Sequence, residues 1–170
     1  MILAFVLLGV IQSSPLQLGK IEFLSPTNKS FISVHGDAES LMGEVKLDGD
    51  GLKNLKFSIP VESLKTGLGL RDHHMQERIF KTEDGKLPPV QFESKEIECK
   101  KTDATQSDCL IKGMLSIRGI PKASEFSAKL KGHHLSGSSV LKLSTWGIPQ
   151  PEQLGVQVKD EVTITYEANF

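Results

Sequence analysis

Apolar residues recur at every second position along most of this chain. Leu55, Phe57, Ile59 and Val61 alternate with Lys56, Ser58 and Glu62, and Val162, Ile164 and Tyr166 alternate with Thr163, Thr165 and Glu167. A period of two places one side of a strand on a core and the other in water. The pattern predicts eight strands, at residues 31–35, 43–48, 52–64, 90–99, 110–117, 122–130, 140–143 and 161–168. Residues 20–29 read as a lead-in with a turn at Ser25-Pro26-Thr27-Asn28, and Asp48-Gly49-Asp50-Gly51 reads as a hairpin turn. Short strands at close spacing argue for a sandwich or barrel rather than a parallel sheet. The predicted class is all-β, an eight-stranded antiparallel barrel. Eight strands is also the size at which a closed barrel holds either its own side chains or one small ligand. Periodicity alone does not separate the two.

The alternation is interrupted once, between Ser63 and Ser94. There Arg71-Asp72-His73-His74-Met75 and Ile79-Phe80 fit about three helical turns, and Pro88-Pro89 leads back to Val90 and Phe92. A charged helical segment between the third and fourth strands predicts a lid. Thr66 or Asp72 is the candidate helix start, and Arg71 the candidate tie to the barrel rim. Arg71 and Asp72 have a second reading, as a polar mouth that meets a ligand head group. His74 is placed to donate either to such a head group or to a loop carbonyl.

Charge narrows the partners. Twenty basic residues against 21 acidic ones, well mixed, argue against nucleic acid and against an anionic membrane surface. At 170 residues the chain makes one domain with room for a sizeable core. Residues 1–19 read as a signal peptide and lead-in, and residues 20–170 as the barrel domain. The apolar run at 2–11 has the length of a signal-peptide core and is too short to span a bilayer. Export makes a disulfide reasonable. Cys99 and Cys109 flank a polar turn cluster, so they are expected to face each other across a hairpin, within bonding reach. Two unpaired thiols near a loop is the other reading.

Catalytic signatures are few. No Gly-x-Ser-x-Gly elbow, phosphate loop, dinucleotide fingerprint or redox Cys-x-x-Cys arrangement occurs in the sequence, and the chain is read as a binding protein rather than an enzyme. The histidines His35, His73, His74, His133 and His134 raise a metal or haem alternative. Neighbours on a helix point about 100° apart, and neighbours on a strand face opposite ways, so such a site needs convergence from distant segments.

The ordered motifs carry a resemblance. Ser63-Leu64-Lys65-Thr66-Gly67, Arg71-Asp72-His73-His74-Met75, Phe80, Pro88 and Phe92-Glu93-Ser94 are followed by Gly113-Met114-Leu115-Ser116-Ile117-Arg118-Gly119-Ile120-Pro121-Lys122, then by Ser144-Thr145-Trp146-Gly147-Ile148. This series resembles the YceI-like family, from about Lys29 to the C-terminus, with departures at Met75, Lys81 and Leu87. The resemblance implies a lipocalin-like barrel, periplasmic or secreted in bacteria, that binds a polyisoprenoid or similar long-chain amphiphile such as an isoprenoid quinone. It implies no cofactor beyond such a lipid and leaves room for a homodimer. The candidate tunnel is one face of the third strand (Leu55, Phe57, Ile59, Val61) with Val90, Phe92, Phe126 and Ile164, and the candidate lid contacts are Arg71, Asp72, His74, Met75 and Phe80. The same apolar residues would equally form a packed core. Two rival readings stay open: a His-dependent metal or haem protein of stress defence, and a barrel that is only a scaffold for protein partners.

Overall fold

The computed structural model describes residues 11–170. The first half comprises β1 (Ile11–Pro15), β2 (Gln17–Pro26), β3 (Ser33–Ala38), β4 (Met42–Asp48), β5 (Gly51–Ile59), β6 (Leu64–Lys65) and helix α1 (Gly69–Met75), which runs on into a π-turn, Gln76–Phe80. The second half comprises β7 (Val90–Lys101), β8 (Gln106–Ile117), β9 (Ile120–Lys131), β10 (His134–Lys142), the small hairpin β11 (Glu152–Gln153) and β12 (Val156–Gln157), and β13 (Glu161–Asn169). Apart from that hairpin all the strands join one antiparallel sheet, in the order β1-β4-β5-β7-β8-β9-β10-β13-β2-β3-β6.

The sheet curls because the two ends of that order share a chain. β1 and β2 are halves of one long strand that bends at Leu16, whose N–H still donates to Gly43 O at 2.9 Å. The first half pairs with β4, the second with β13 and β3. In the same way β3 runs on into β4, and β5 runs through a 3-10 turn into β6. Counted as long strands the wall therefore has eight, which is the predicted class, reached by different strands.

Three expectations are corrected here. Phe31 and Ile32 precede the strand, residues 33–35 and 43–48 belong to a single long strand, β3 with β4, and the true first strand occupies the segment read as a lead-in. The cause is a change of phase. Ser14 and Leu16 share a face with Val45 and Gly43, whereas Ile21 and Phe23 face the interior opposite Tyr166 and Ile164, and the register slips by a residue at Gly19. The third strand is interrupted after Ile59, because Pro60 supplies no N–H to a ladder and the chain coils into a 3-10 turn, Val61–Ser63, before β6 resumes the pairing. The seventh strand starts earlier, at His134. Two of its inward positions, Gly137 and Ser139, are small, and the Tyr166 ring lies against Gly137, where a Cβ would come within 2.5 Å of the phenol oxygen. The apolar run at residues 2–11 lies, but for Ile11, outside the described residues.

Cys99 and Cys109 are direct partners across the β7–β8 hairpin and form a disulfide, with Cα atoms 4.0 Å apart, as their spacing predicted. This hairpin lies at the same end of the barrel as the β4–β5 and β9–β10 turns. Inward side chains toward that end are sealed: Val45, Leu47, Leu52, Leu55, Ile111, Ala128, Leu130 and Leu135 are all buried, Ile111 to 1% exposure. Fully burying one such aliphatic side chain contributes about 1.5–3 kcal/mol. This is where the fold is held together.

Candidate functional site

The opposite end carries the lid. Its anchor is built around Thr66. The Thr66 N–H donates to Asp72 Oδ1 at 2.7 Å, the Thr66 hydroxyl donates to the same oxygen, and Arg71 reaches back with Nε to that hydroxyl at 2.8 Å and with Nη2 to Thr66 O at 2.6 Å. The expectation is that Thr66 or Asp72 starts the helix and that Arg71 ties it to the rim. Arg71 and Asp72 both converge on Thr66 at the end of the wall, and no side chain caps α1. Burial is the largest influence on the Asp72 carboxyl and pushes its pKa up. The two Thr66 bonds, with the charges of Lys65 and Arg71, together outweigh it and hold the carboxyl below its ordinary value. A buried ionised carboxylate thus staples the start of the lid to the strand it leaves.

The lid's apolar side chains turn to the barrel. Met75 and Phe80 pack, with Ile21, Phe23, Leu41, Phe57 and Val90, around the buried Ala38, Ile59 and Leu64. These surrounding residues stay only half-buried, in contrast to the sealed opposite end. His74 faces sideways, where Nδ1 lies 3.2 Å from Gln153 Oε1 on the β11–β12 hairpin. That hairpin is in turn held by Asn28, which donates to Gly155 O at 3.2 Å and accepts from Gln157 N–H at 3.0 Å.

Most of the predicted tunnel residues do share the interior. Leu55, Phe57 and Ile59 line β5, Val90 and Phe92 line β7, and Phe126 and Ile164 lie inward on β9 and β13. Val61 is fully buried but stands in the 3-10 turn beyond the strand, off that row. Four aromatic rings run in sequence across the interior: Phe57 stacks on Phe92 with centroids 5.4 Å apart, Phe92 meets Phe126 edge-on at 4.9 Å, and Phe126 meets Tyr166 edge-on at 6.1 Å. Tyr166 donates to Ser127 O at 2.6 Å, and burial raises its phenol pKa. Ile21 and Phe23, inward on β2, lie in the segment read as a lead-in and so are absent from the predicted tunnel. Trp146 lies in the Ser144–Ile148 motif. It is buried to 3% exposure and donates from Nε1 to Leu115 O at 3.2 Å.

The histidines do not gather. His73 and His74 sit on the lid, His133 stacks near Phe170 and His134 meets Asn169 at the far end, and His35 is exposed on β3. Among the described residues no three His, Cys, Asp or Glu side chains are grouped to hold a metal. Two grooves stand out on the described surface. One, of about 580 Å³, lies on the outer face of β4, β5, β7 and β8 beside Met42, Lys95 and Met114. The other, of about 410 Å³, lies where β2 and β3 part below the lid. No helix among the described residues is long and apolar enough to cross a membrane.

Known structures share this architecture. BcnA of Burkholderia cenocepacia is similar with a TM-score of 0.66 at 16% identity, over 88% of this chain and 94% of that one. A polyisoprenoid binding domain of Saccharophagus degradans, described as implicated in plant cell wall breakdown, is similar with a TM-score of 0.64 at 13% identity, over 94% and 97% of the two chains. The YCEI protein of Campylobacter jejuni is similar with a TM-score of 0.62 at 22% identity, over 84% and 88%. No curated protein sequence matches this chain significantly. The family model of the YceI-like domain matches residues 19–170, nearly the whole barrel, and the chain belongs to the YceI-like family.

Proposed function

We propose that the barrel binds the apolar chain of a polyisoprenoid or similar long-chain amphiphile at its lid end. The observation that carries this reading is the set of half-buried inward residues under the lid: Ile21, Phe23, Phe57, Met75, Phe80 and Val90. Toward the other end Val45, Leu52, Leu55, Ile111 and Leu130 are sealed, with Ile97, Ala168 and Phe170 half-buried at its margin. Membership of the YceI-like family and the fold likeness to a polyisoprenoid binding domain support the same class of ligand. Each buried methylene contributes roughly 0.8 kcal/mol, so a chain of about 20 carbons supplies about 16 kcal/mol before the costs of association. Such a site needs few polar contacts and no catalytic group.

Binding along the axis requires Phe80 and Met75 to withdraw with the lid and Phe57 to turn from Phe92. The candidate polar contacts are Arg71, Asp72 and His74, although Arg71 and Asp72 already serve the lid anchor. The disulfide and the apolar N-terminal run support an exported, periplasmic or secreted protein. The experiment is native mass spectrometry of protein purified from its own host, followed by organic extraction. A reproducible prenyl-chain adduct is expected. Protein at its bare polypeptide mass that takes up neither added quinones nor polyprenols overturns the reading.

A further inference from the structure

The wall of the barrel is not continuous. Pairing of the first two long strands holds from Ile11↔Asp48 to Pro15↔Glu44, and again from Glu22↔Asp37 to Pro26↔Ser33. The sum of paired residue numbers is the same in both stretches, so they belong to one hairpin. Between them the Leu16 bond to Gly43 is the last rung, and residues 17–21 and 38–42 carry no rungs to each other. On its other side β3 bonds instead to β6, through Asp37↔Lys65 and Ala38↔Leu64. The result is a seam in the wall just below the lid.

The 410 Å³ groove adjoins the lid-side end of this seam, bordered by residues 19–22 and 35–38. Ile21 and Ala38 belong to the apolar cluster beneath the lid. Lys20, Glu22, His35 and Asp37 stand on the outer side, where Lys20 and Glu22 form an ion pair at 2.9 Å. The groove thus brings outward polar residues next to Ile21 and Ala38 of the apolar cluster, at the point where the β2–β3 rungs end. Thr66 and Gly67, where the lid leaves the wall, form its edge. Gly67 has a φ of 78°, a left-handed conformation suited to glycine, and nothing crowds its Cβ position. The unpaired backbone along the seam must meet water. A polar head is therefore at home on the rim while an apolar chain lies inside.

We propose that this seam is a side port through which the chain of an amphiphile enters and leaves the barrel, its polar head staying among Lys20, Glu22, His35 and Asp37. The inference rests on the binding reading above. A port sets rates and not equilibrium, because it is crossed in both directions. Cys99 and Cys109 are bonded to each other, so Lys20→Cys introduces a single free thiol at the rim, and Lys95→Cys does the same in the outer groove. Each is coupled to maleimides of increasing size, and uptake and release of a long-chain prenyl benzoquinone are followed by quenching of Trp146.

The expected result is that association and dissociation at the Lys20 position both slow with label size, roughly tenfold for the largest, while their ratio holds within about twofold. Labels at the Lys95 position leave both rates unchanged. His35→Cys, exposed on the same rim, repeats the measurement should the first variant fold poorly. Rates independent of label size at Lys20 and His35, or slowed equally at Lys95, overturn the port while leaving binding intact. Unlabelled protein that takes up no quinone overturns the binding reading and the port together.

Discussion

The two ends of this barrel are made from the same eight strands and differ in what they do with apolar side chains. At the hairpin end the inward residues are sealed and a disulfide closes β7 on β8. At the lid end only Ala38, Ile59 and Leu64 of the cluster beneath the lid are buried, and the residues around them stay half-buried. Polar bonds to Thr66 help the packing of Met75 and Phe80 hold the cover. Stability in a domain is distributed unevenly, and the elements that move are drawn from its weaker parts. The contrast says that one end specifies the fold and the other stays open to a ligand.

The largest test of the contrast is a pair of truncations. Ile111→Ala, at the sealed end, is expected to lower unfolding stability by about 2–5 kcal/mol. Phe80→Ala, on the lid, removes a larger side chain and is expected to cost less than half as much, because that ring is already partly hydrated. Urea unfolding of both variants measures the difference. Equal costs would show that the lid end is packed like the other and would remove the basis for the binding reading.

Reduction of the disulfide comes next. Cys99 and Cys109 are separated by 10 residues, and a closed loop of that size accounts for about 2–3 kcal/mol in the chain-entropy account. Thermal unfolding with and without reductant reads the total. Hydrogen exchange then locates it: amides of β7 and β8 near the hairpin should lose protection while those of α1 do not change. Loss of protection in α1 to the same degree would mean that the two ends are one cooperative unit.

The sequence made the sealed end easier to read than the other. Cys99 and Cys109 flank a polar turn, and the alternating runs of β8, β9 and β13 keep one phase over their length. At the lid end two physical features break the pattern. The phase change around Gly19 and between Ala38 and Gly43 splits one hairpin into pieces that look like separate strands, and it hides Ile21 and Phe23. The same phase change is the seam in the wall, so the place where periodic reading failed is the place where the barrel parts. The lid itself was legible from its change of period, and the role of Thr66 was not. A threonine three residues ahead of a helix looks like a cap, and only coordinates show Asp72 reaching back to it.

Asp72 gives the third test. Replacement by Ala leaves the Thr66 N–H without its acceptor and is expected to destabilise lid docking by about 1–3 kcal/mol. The pH dependence has a definite sign. The folded carboxyl lies below its ordinary value, so its contribution is fully present above the unfolded pKa of about 4 and fades as pH falls through the lower folded value. Exchange at the Thr66 amide should therefore be protected near neutrality and gain an opening in acid that Asp72→Asn already shows at pH 7. Acid sensitivity identical in Asp72→Asn would assign the effect to another group.

The smallest effect decides how the lid end moves. His74 and Gln153 are tied by a single exposed hydrogen bond of 3.2 Å, and Gln153→Ala should change global stability by less than about 0.5 kcal/mol. Local motion is a separate quantity. The β11–β12 hairpin is fastened through Asn28 to the β2–β3 turn, so this bond connects the lid to the strands that border the seam. If the clasp holds lid and seam together, its loss should raise exchange of α1 amides by roughly twofold with no change in β8. Unchanged exchange in α1 would leave Thr66 and Asp72 as its anchor without help from the clasp. Motion of the lid would then be governed at its first residues, beside the groove, and opening of the lid and opening of the seam would be one event rather than two.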